Sequence, residues 1–123
     1  NAGLSGCPLR SPYAASKWAA IGLAKTWAME LGPWNIRVNA LCPGSVSGPR
    51  IEGVINRDAE ARGMEAADIR RVYQRQGSLR QFTDPEDIAA MVCFLAGPGG
   101  KKISGQAIAI DGHTESLANW LDP

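Results

Sequence analysis

Between Ala14 and Leu31 the only charged residues are Lys17, Lys25 and Glu30, and the segment is bracketed by Ser11-Pro12 and Gly32-Pro33. A serine can cap an exposed N–H, and a proline at the first helical position forfeits no hydrogen bond. A Gly-Pro pair ends a helix. These signals predict a helix from Ser11 to about Leu31. Ala20, Ala24, Trp27 and Leu31 form one apolar stripe, and Ala14, Trp18, Ile21 and Ala28 another. A helix apolar on nearly all sides is buried on more than one of them. The expectation is that one face packs on a sheet and the other on a second helix or subunit, which confines the chain to a layered architecture.

The remaining segments supply little sheet for such a helix. Asn1 to Arg10 is a loop punctuated by Gly3, Gly6 and Pro8. Asn35 to Cys42 reads as a strand ended by Pro43-Gly44, and Ser45-Val46-Ser47-Gly48-Pro49 is a turn-rich loop at its carboxyl end, where open α/β sheets place their ligands. Ile51–Arg62 and Glu65–Gln76 read as helices. The second turns Ile69, Val72 and Tyr73 inward and Arg70, Arg71 and Arg75 outward, either as an anionic-substrate site or as a solvated face. Asp84-Pro85-Glu86-Asp87 opens another helix, with Asp84 or Thr83 as cap and Ile88, Met91, Val92 and Leu95 as its buried stripe. Gln106–Ile110 is an uncharged strand that reads as covered on both faces and ends at the turn dipeptide Asp111-Gly112. Trp120 and Leu121 would anchor the tail.

Two strands with four to five helices cannot occupy all these apolar faces, because parallel sheets carry helices on both sides and further strands beside them. The chain of 123 residues therefore reads as a single partial domain, residues 1–123, at one end of a larger doubly wound parallel α/β fold. No Gly-x-Gly-x-x-Gly turn follows a first strand. Net charge is +1, which provides no basis for nucleic acid or an anionic membrane as partner. No apolar run approaches the ~20 residues of a membrane span. Cys7, Cys42 and Cys93 are widely spaced and form no CxxC, so neither a disulfide framework nor a zinc site is indicated, and a reducing, cytoplasmic setting is the default. His113, the only histidine, has no second ligand or nucleophile in its pattern.

Tyr13 and Lys17 are four residues apart and so share a helix face. A nearby ammonium favours phenolate, and a tyrosine tuned in this way can exchange a proton with a substrate oxygen. On spacing alone the pair reads as an ordinary surface contact. It stands, however, at the head of an ordered series. Asn39-Ala40-Leu41-Cys42-Pro43-Gly44 follows, then Asp84-Pro85-Glu86-Asp87-Ile88-Ala89, Phe94-Leu95-Ala96, and Ile103-Ser104-Gly105-Gln106 leading to Asp111-Gly112. This series resembles the C-terminal half of a classical short-chain dehydrogenase/reductase, and the resemblance covers essentially the whole chain.

The resemblance implies the C-terminal portion of an NAD(P)-binding Rossmann fold. It also implies an enzyme that moves hydride between NAD or NADP and a small alcohol or carbonyl substrate. By the same resemblance Tyr13 is the catalytic acid/base, and Lys17 lowers its pKa and hydrogen-bonds the nicotinamide ribose. Pro43, Gly44 and the backbone of Val46 line the nicotinamide. Family members usually carry a threonine at the position of Gly48, so Ser47 is the candidate to replace that hydroxyl contact. The Ile51–Gln76 segment corresponds to the substrate-binding helices. A homo-oligomer, dimer or tetramer, is implied, with the Tyr/Lys helix and the last strand as contact surfaces.

The family's catalytic serine lies 13 residues before its tyrosine, which falls one position before Asn1. Asn1-Ala2-Gly3 matches a structural motif of the family but sits too close to Tyr13 to be that motif. The expectation is a truncated sequence whose cofactor-selecting half lies upstream, so the isolated chain would be inactive. Two other readings differ in class. One is a non-catalytic chain or interaction module docking through its apolar first helix; the other is an extended-type epimerase or dehydratase.

Overall fold

A computed structural model of the protein describes residues 1–117. Trp120 and Leu121 lie outside the described residues. Four α-helices and two strands follow in the order α1 (Ser11–Leu31), β1 (Ala40–Pro43), α2 (Pro49–Arg62), α3 (Ala66–Gln74), α4 (Pro85–Ala96) and β2 (Ala107–Ile110). Short 3₁₀ turns at Gly32–Trp34 and Pro98–Gly100 extend the ends of α1 and α4. The strands pair in parallel, with Ala40 opposite Ala107 and Pro43 opposite Ile110.

Helix boundaries follow local chemistry. Gly63 ends α2 at φ 64°, a left-handed conformation that glycine adopts without a Cβ penalty, and its N–H returns to the carbonyls of Ala59 and Glu60. Asp84 caps α4, its N–H donating to the Asp87 carboxylate at 2.9 Å, and Pro85 takes the first helical position. At α1 the cap is Arg10 rather than Ser11, which is itself the first helical residue. The end of α1 also differs from expectation. Gly32 remains right-handed, and the chain turns only at Asn35, at φ 57°.

The first strand is shorter than the expected Asn35–Cys42. Asn35 is left-handed, and Gly105, at φ 71°, bends the partner segment out of register. The intervening polar groups are met individually. The Asn39 side chain donates to Ile103 O at 2.9 Å and accepts from Gln106 N at 3.1 Å, standing in for a backbone rung. Regular pairing therefore starts only at Ala40.

The core lies in the helical hairpin of α2 and α3, where Ile51, Ile55, Ala59 and Ile69 are buried and Val54, Met64, Tyr73 and Phe82 pack around them. Ile55 and Ile69 are wholly buried, each contributing roughly 1.5–3 kcal/mol. Arg70, expected to face solvent, instead pairs with Glu52 of α2 and stacks over the Phe82 ring at 5.9 Å.

Expectations of burial elsewhere are met only in part. Along α1 only Ala24 is buried, while Trp18 (55 % exposed) and Trp27 (46 %) stand out. Val92 on α4 is half exposed, although Leu95 is buried. Ala109 of β2 is exposed, so that strand is not covered on both faces. The physical reason is width, since two strands only about 4.8 Å apart cannot cover a helix some 10 Å across. No helix among the described residues is long and apolar enough to cross a membrane.

Candidate active site

Tyr13 occupies the third position of α1 and is 43 % exposed. One turn later, Lys17 places its ammonium over the phenol ring, 5.2 Å from the centroid. This contact follows from the i, i+4 spacing, which stacks the two side chains on one face. Ser16 turns back onto its own helix and donates to Tyr13 O at 2.7 Å. The ammonium therefore lies against the aromatic face, a cation–π arrangement, and both polar ends stay open to solvent.

The second group is the loop leaving β1. Gly44 N–H donates to Ile110 O at 3.0 Å, which carries the strand pairing one step past Pro43. Beyond it, Val46 forms a parallel bridge with Thr83. Thr83 N–H donates to Ser45 O, and Ser47 N–H donates to Thr83 O, both at 2.9 Å. In a parallel bridge the bonds go to the residues on either side, so the N–H of Val46 turns away from Thr83. Gly48, at φ 131°, then swings the chain into α2. That conformation favours glycine, which accounts for a glycine where the resembling family has threonine.

By sequence Thr83 is no more than a candidate helix cap. In the structure it is the one buried polar side chain among the described residues, 7 % exposed. Its hydroxyl donates to Ile110 O at 2.9 Å. One residue thus ties the loop after β1 to the end of β2. No local signal could have revealed this, because all its partners lie in distant segments.

Asn1-Ala2-Gly3 joins the two groups. A Cβ on Gly3 would meet Lys17 O at 2.8 Å and the Ile21 side chain at 2.7 Å, so this segment presses onto α1 beside Lys17. At its other end the Asn1 main-chain nitrogen donates to Pro43 O at 3.0 Å, and its side-chain amide reaches Asp111 and Thr114. The segment thus touches α1 beside Lys17 at one end and the end of β1 at Pro43 at the other.

Two titratable groups at the strand ends depart from their ordinary values. Burial raises the Asp111 carboxyl, but hydrogen bonds from Thr114, Asn1 and His113 N–H outweigh it and hold the group below its usual range. Burial pushes the Cys42 thiol up, and the neighbouring Asp111 carboxylate adds to that shift. His113 meets Ser78 Oγ through Nδ1 at 3.1 Å. Cys7, Cys42 and Cys93 are free thiols, and the described residues contain no cluster of His, Cys, Asp or Glu arranged to hold a metal.

The arrangement pairs an exposed phenol and ammonium with a backbone-rich loop at the carboxyl end of a parallel strand. This donor set suits a ligand carrying amide and hydroxyl groups. A family model described as Enoyl-(Acyl carrier protein) reductase matches residues 1–113. The 3-oxoacyl-[acyl-carrier-protein] reductase FabG of Thermotoga maritima is 38% identical over 110 residues, which cover 89% of this chain and 40% of that protein. A solved actinorhodin polyketide ketoreductase with NADPH superposes with a TM-score of 0.81 at 29% identity, covering 89% of this chain and 42% of its own. NAD+-bound xylitol dehydrogenase superposes with a TM-score of 0.78 at 30% identity, covering 89% and 44%. The chain thus spans about two fifths of the length of the relatives it matches.

Proposed function

The chain belongs to the short-chain dehydrogenase/reductase family, and from that premise we propose that it forms the proton-handling part of an NAD- or NADP-dependent oxidoreductase acting on a small alcohol or carbonyl compound. The observation that carries the reading is the stacking of Lys17 on Tyr13, 5.2 Å from ammonium to ring centroid, at the exposed start of α1. The α/β architecture is that of a partial Rossmann fold, and relatives of the same fold are known with NADPH and with NAD+. A bound nicotinamide supplies or accepts the hydride, and the protein manages alignment and the proton.

In this reading Tyr13 Oη exchanges the proton with the substrate oxygen. The Lys17 ammonium stabilises negative charge on the phenol and donates to the ribose. Pro43 and Gly44 form the wall behind the nicotinamide ring. Val46 N–H, turned away from Thr83, meets the carboxamide, and the Ser47 hydroxyl adds a contact where Gly48 offers none. Residues 1–123 form one partial domain of the enzyme, which works in the cytoplasm as a homo-oligomer. The exposed Trp18 and Trp27 of α1 suit burial against further apolar surface.

Tyr13→Phe in the full-length protein tests the reading. The expected result is a loss of turnover of about 10²–10⁴-fold, the usual worth of a positioned acid/base, with nicotinamide binding unchanged. Full activity in that variant would overturn it. The exposed apolar side of α1 favours a second reading, in which the 123-residue chain is a non-catalytic docking module. Titration with NADH and NADPH separates the two, since tight binding of either excludes the module.

A further inference from the structure

Asp111 collects more hydrogen-bond donors than the turn after β2 requires. Its carboxylate accepts from the Asn1 carboxamide, from the Thr114 hydroxyl and main-chain N–H, and from His113 N–H. The Asn1 amide also donates to Thr114 Oγ, which closes a ring of three side chains. We propose that Asp111 is a positioning residue for Tyr13 and Lys17, fixing the Lys17 turn of α1 relative to the loop that leaves β1. The role rests on the oxidoreductase reading.

Two parts of the residue are engaged. Its backbone lies between two glycines: a Cβ on Gly44 would stand 3.0 Å from Asp111 Cα, and one on Gly77 would stand 3.1 Å from Asp111 O. Its carboxylate holds the first segment. There Asn1 O accepts from Leu4 N–H at 2.7 Å and from Ser5 N–H at 3.2 Å, so Asn1–Ser5 is a closed turn. Ala2 within that turn is buried, and Gly3 presses on Lys17 O and the Ile21 side chain. A shift of the Asn1 carboxamide is thereby passed to α1 at Lys17.

A carboxylate suits this node better than its amide. When ionised it only accepts, with two oxygens and about four lone-pair sites. An asparagine of equal shape would turn an N–H₂ group toward donors. Hydrogen bonds to an ionised acceptor are roughly twice as strong as neutral ones, and the group is held in that form, below its usual range. The local turn needs only the bond from His113 N–H, at 2.9 Å and two residues on. The bond from Asn1 crosses 110 positions of sequence and serves no local turn. Alignment is where such a link matters, since a misplacement of ~1 Å can cost about 10²-fold in rate.

Asp111→Ala in the full-length protein tests the role. Alanine keeps the Cα, Cβ and O that meet Gly44 and Gly77 and removes only the carboxylate. Carbonyl reduction is followed with NADH or NADPH, unlabelled and deuterated at the hydrogen that is transferred. The expected result is a fall in kcat approaching 10²-fold, about the cost of that misplacement, with cofactor KM unchanged. The primary isotope effect should rise, because misalignment slows the chemical step alone. A fall in kcat with an unchanged isotope effect reports lost folded enzyme and overturns the proposal, as does a raised cofactor KM with unchanged kcat.

Asn1→Ala, which retains Asp111, should give the same signature. The double variant should lose no more than Asp111→Ala alone, as expected of two residues acting through one link. Independent losses that multiply overturn the proposal. Amide exchange examines the link without turnover. Leu4 and Ser5 N–H should exchange about tenfold faster in Asp111→Ala, the scale of a hydrogen bond to a charged group, while Gly44 N–H and α4 stay unchanged. Equal exchange at Leu4 and Ser5, or equal acceleration across α4, overturns the proposal. Absence of turnover in the wild type refutes the oxidoreductase reading and the positioning role with it. Turnover in the wild type with an unchanged isotope effect in both variants refutes the positioning role alone.

Discussion

A Cβ placed on Gly44 would stand 3.0 Å from the Cα of Asp111 and 3.1 Å from its Cβ. The loop leaving β1 and the turn leaving β2 therefore approach so closely that a side chain at position 44 would require Asp111 to shift by a few tenths of an ångström. Gly44→Ala is expected to lose about 1–3 kcal/mol through overpacking and to weaken nicotinamide binding, because the Ser45–Ser47 loop must move outward. Urea unfolding and cofactor titration measure the two effects. Gly22 on α1 offers the contrast, since a Cβ added there would meet nothing within 4 Å. Gly22→Ala should stabilise the protein by about 0.5–1 kcal/mol, the helix-interior cost of glycine.

Thr83→Val removes the hydroxyl bond to Ile110 O while preserving shape. That carbonyl keeps the Gly44 N–H, so the expected loss is about 1 kcal/mol rather than that of an unsatisfied group. The main-chain bonds to Ser45 and Ser47 survive the substitution. The urea midpoint should fall with an unchanged m-value. A midpoint equal to the wild type would show that the hydroxyl bond contributes nothing.

Asp111 links stability to acid. Its carboxyl is held below the ordinary range in the folded chain by Thr114, Asn1 and His113, against the opposing effect of burial. The unfolded chain binds the proton first, so the contribution is complete above the unfolded value of about 3.9. It is lost as pH falls from there through the folded value. Urea midpoints between pH 7 and pH 3 should drop below about pH 4. Asp111→Asn should flatten that drop, and a curve unchanged by the substitution would remove Asp111 as its cause.

Cys42 should be the last of the three thiols to react with iodoacetamide. It is buried at 5% exposure, and its thiol is pushed up, which depletes the reactive thiolate. Mass-spectrometric labelling over time checks the order. Modification of Cys42 as fast as that of the exposed Cys93 would contradict the packing described for β1.

Features set by neighbours in the chain were legible in advance. Pro12, Gly63 and Pro85 act within one helical turn, and the helices they bound appear where their signals stand. The meeting of Tyr13 with Lys17 follows from helical spacing alone. The β1 boundary was not legible, because Asn39 replaces a backbone rung with its side chain and Gly105 bends a partner segment that lies far from Asn39 in the chain. Arg70 read as a solvated residue because its partners, Glu52 and Phe82, belong to other segments.

The sequence by itself determined the helices, the strand-end loop and the family, since each rests on residue types at short or ordered spacing. Only the tertiary structure decided which groups bind those pieces together. Thr83 couples the loop to β2, Gly3 seats the first segment against Lys17, and Asp111 holds the Asn1 side chain at the end of β2. Each depends on close approach between segments distant in the chain, and contact at that range is set by packing and backbone conformation that no local pattern of residues encodes.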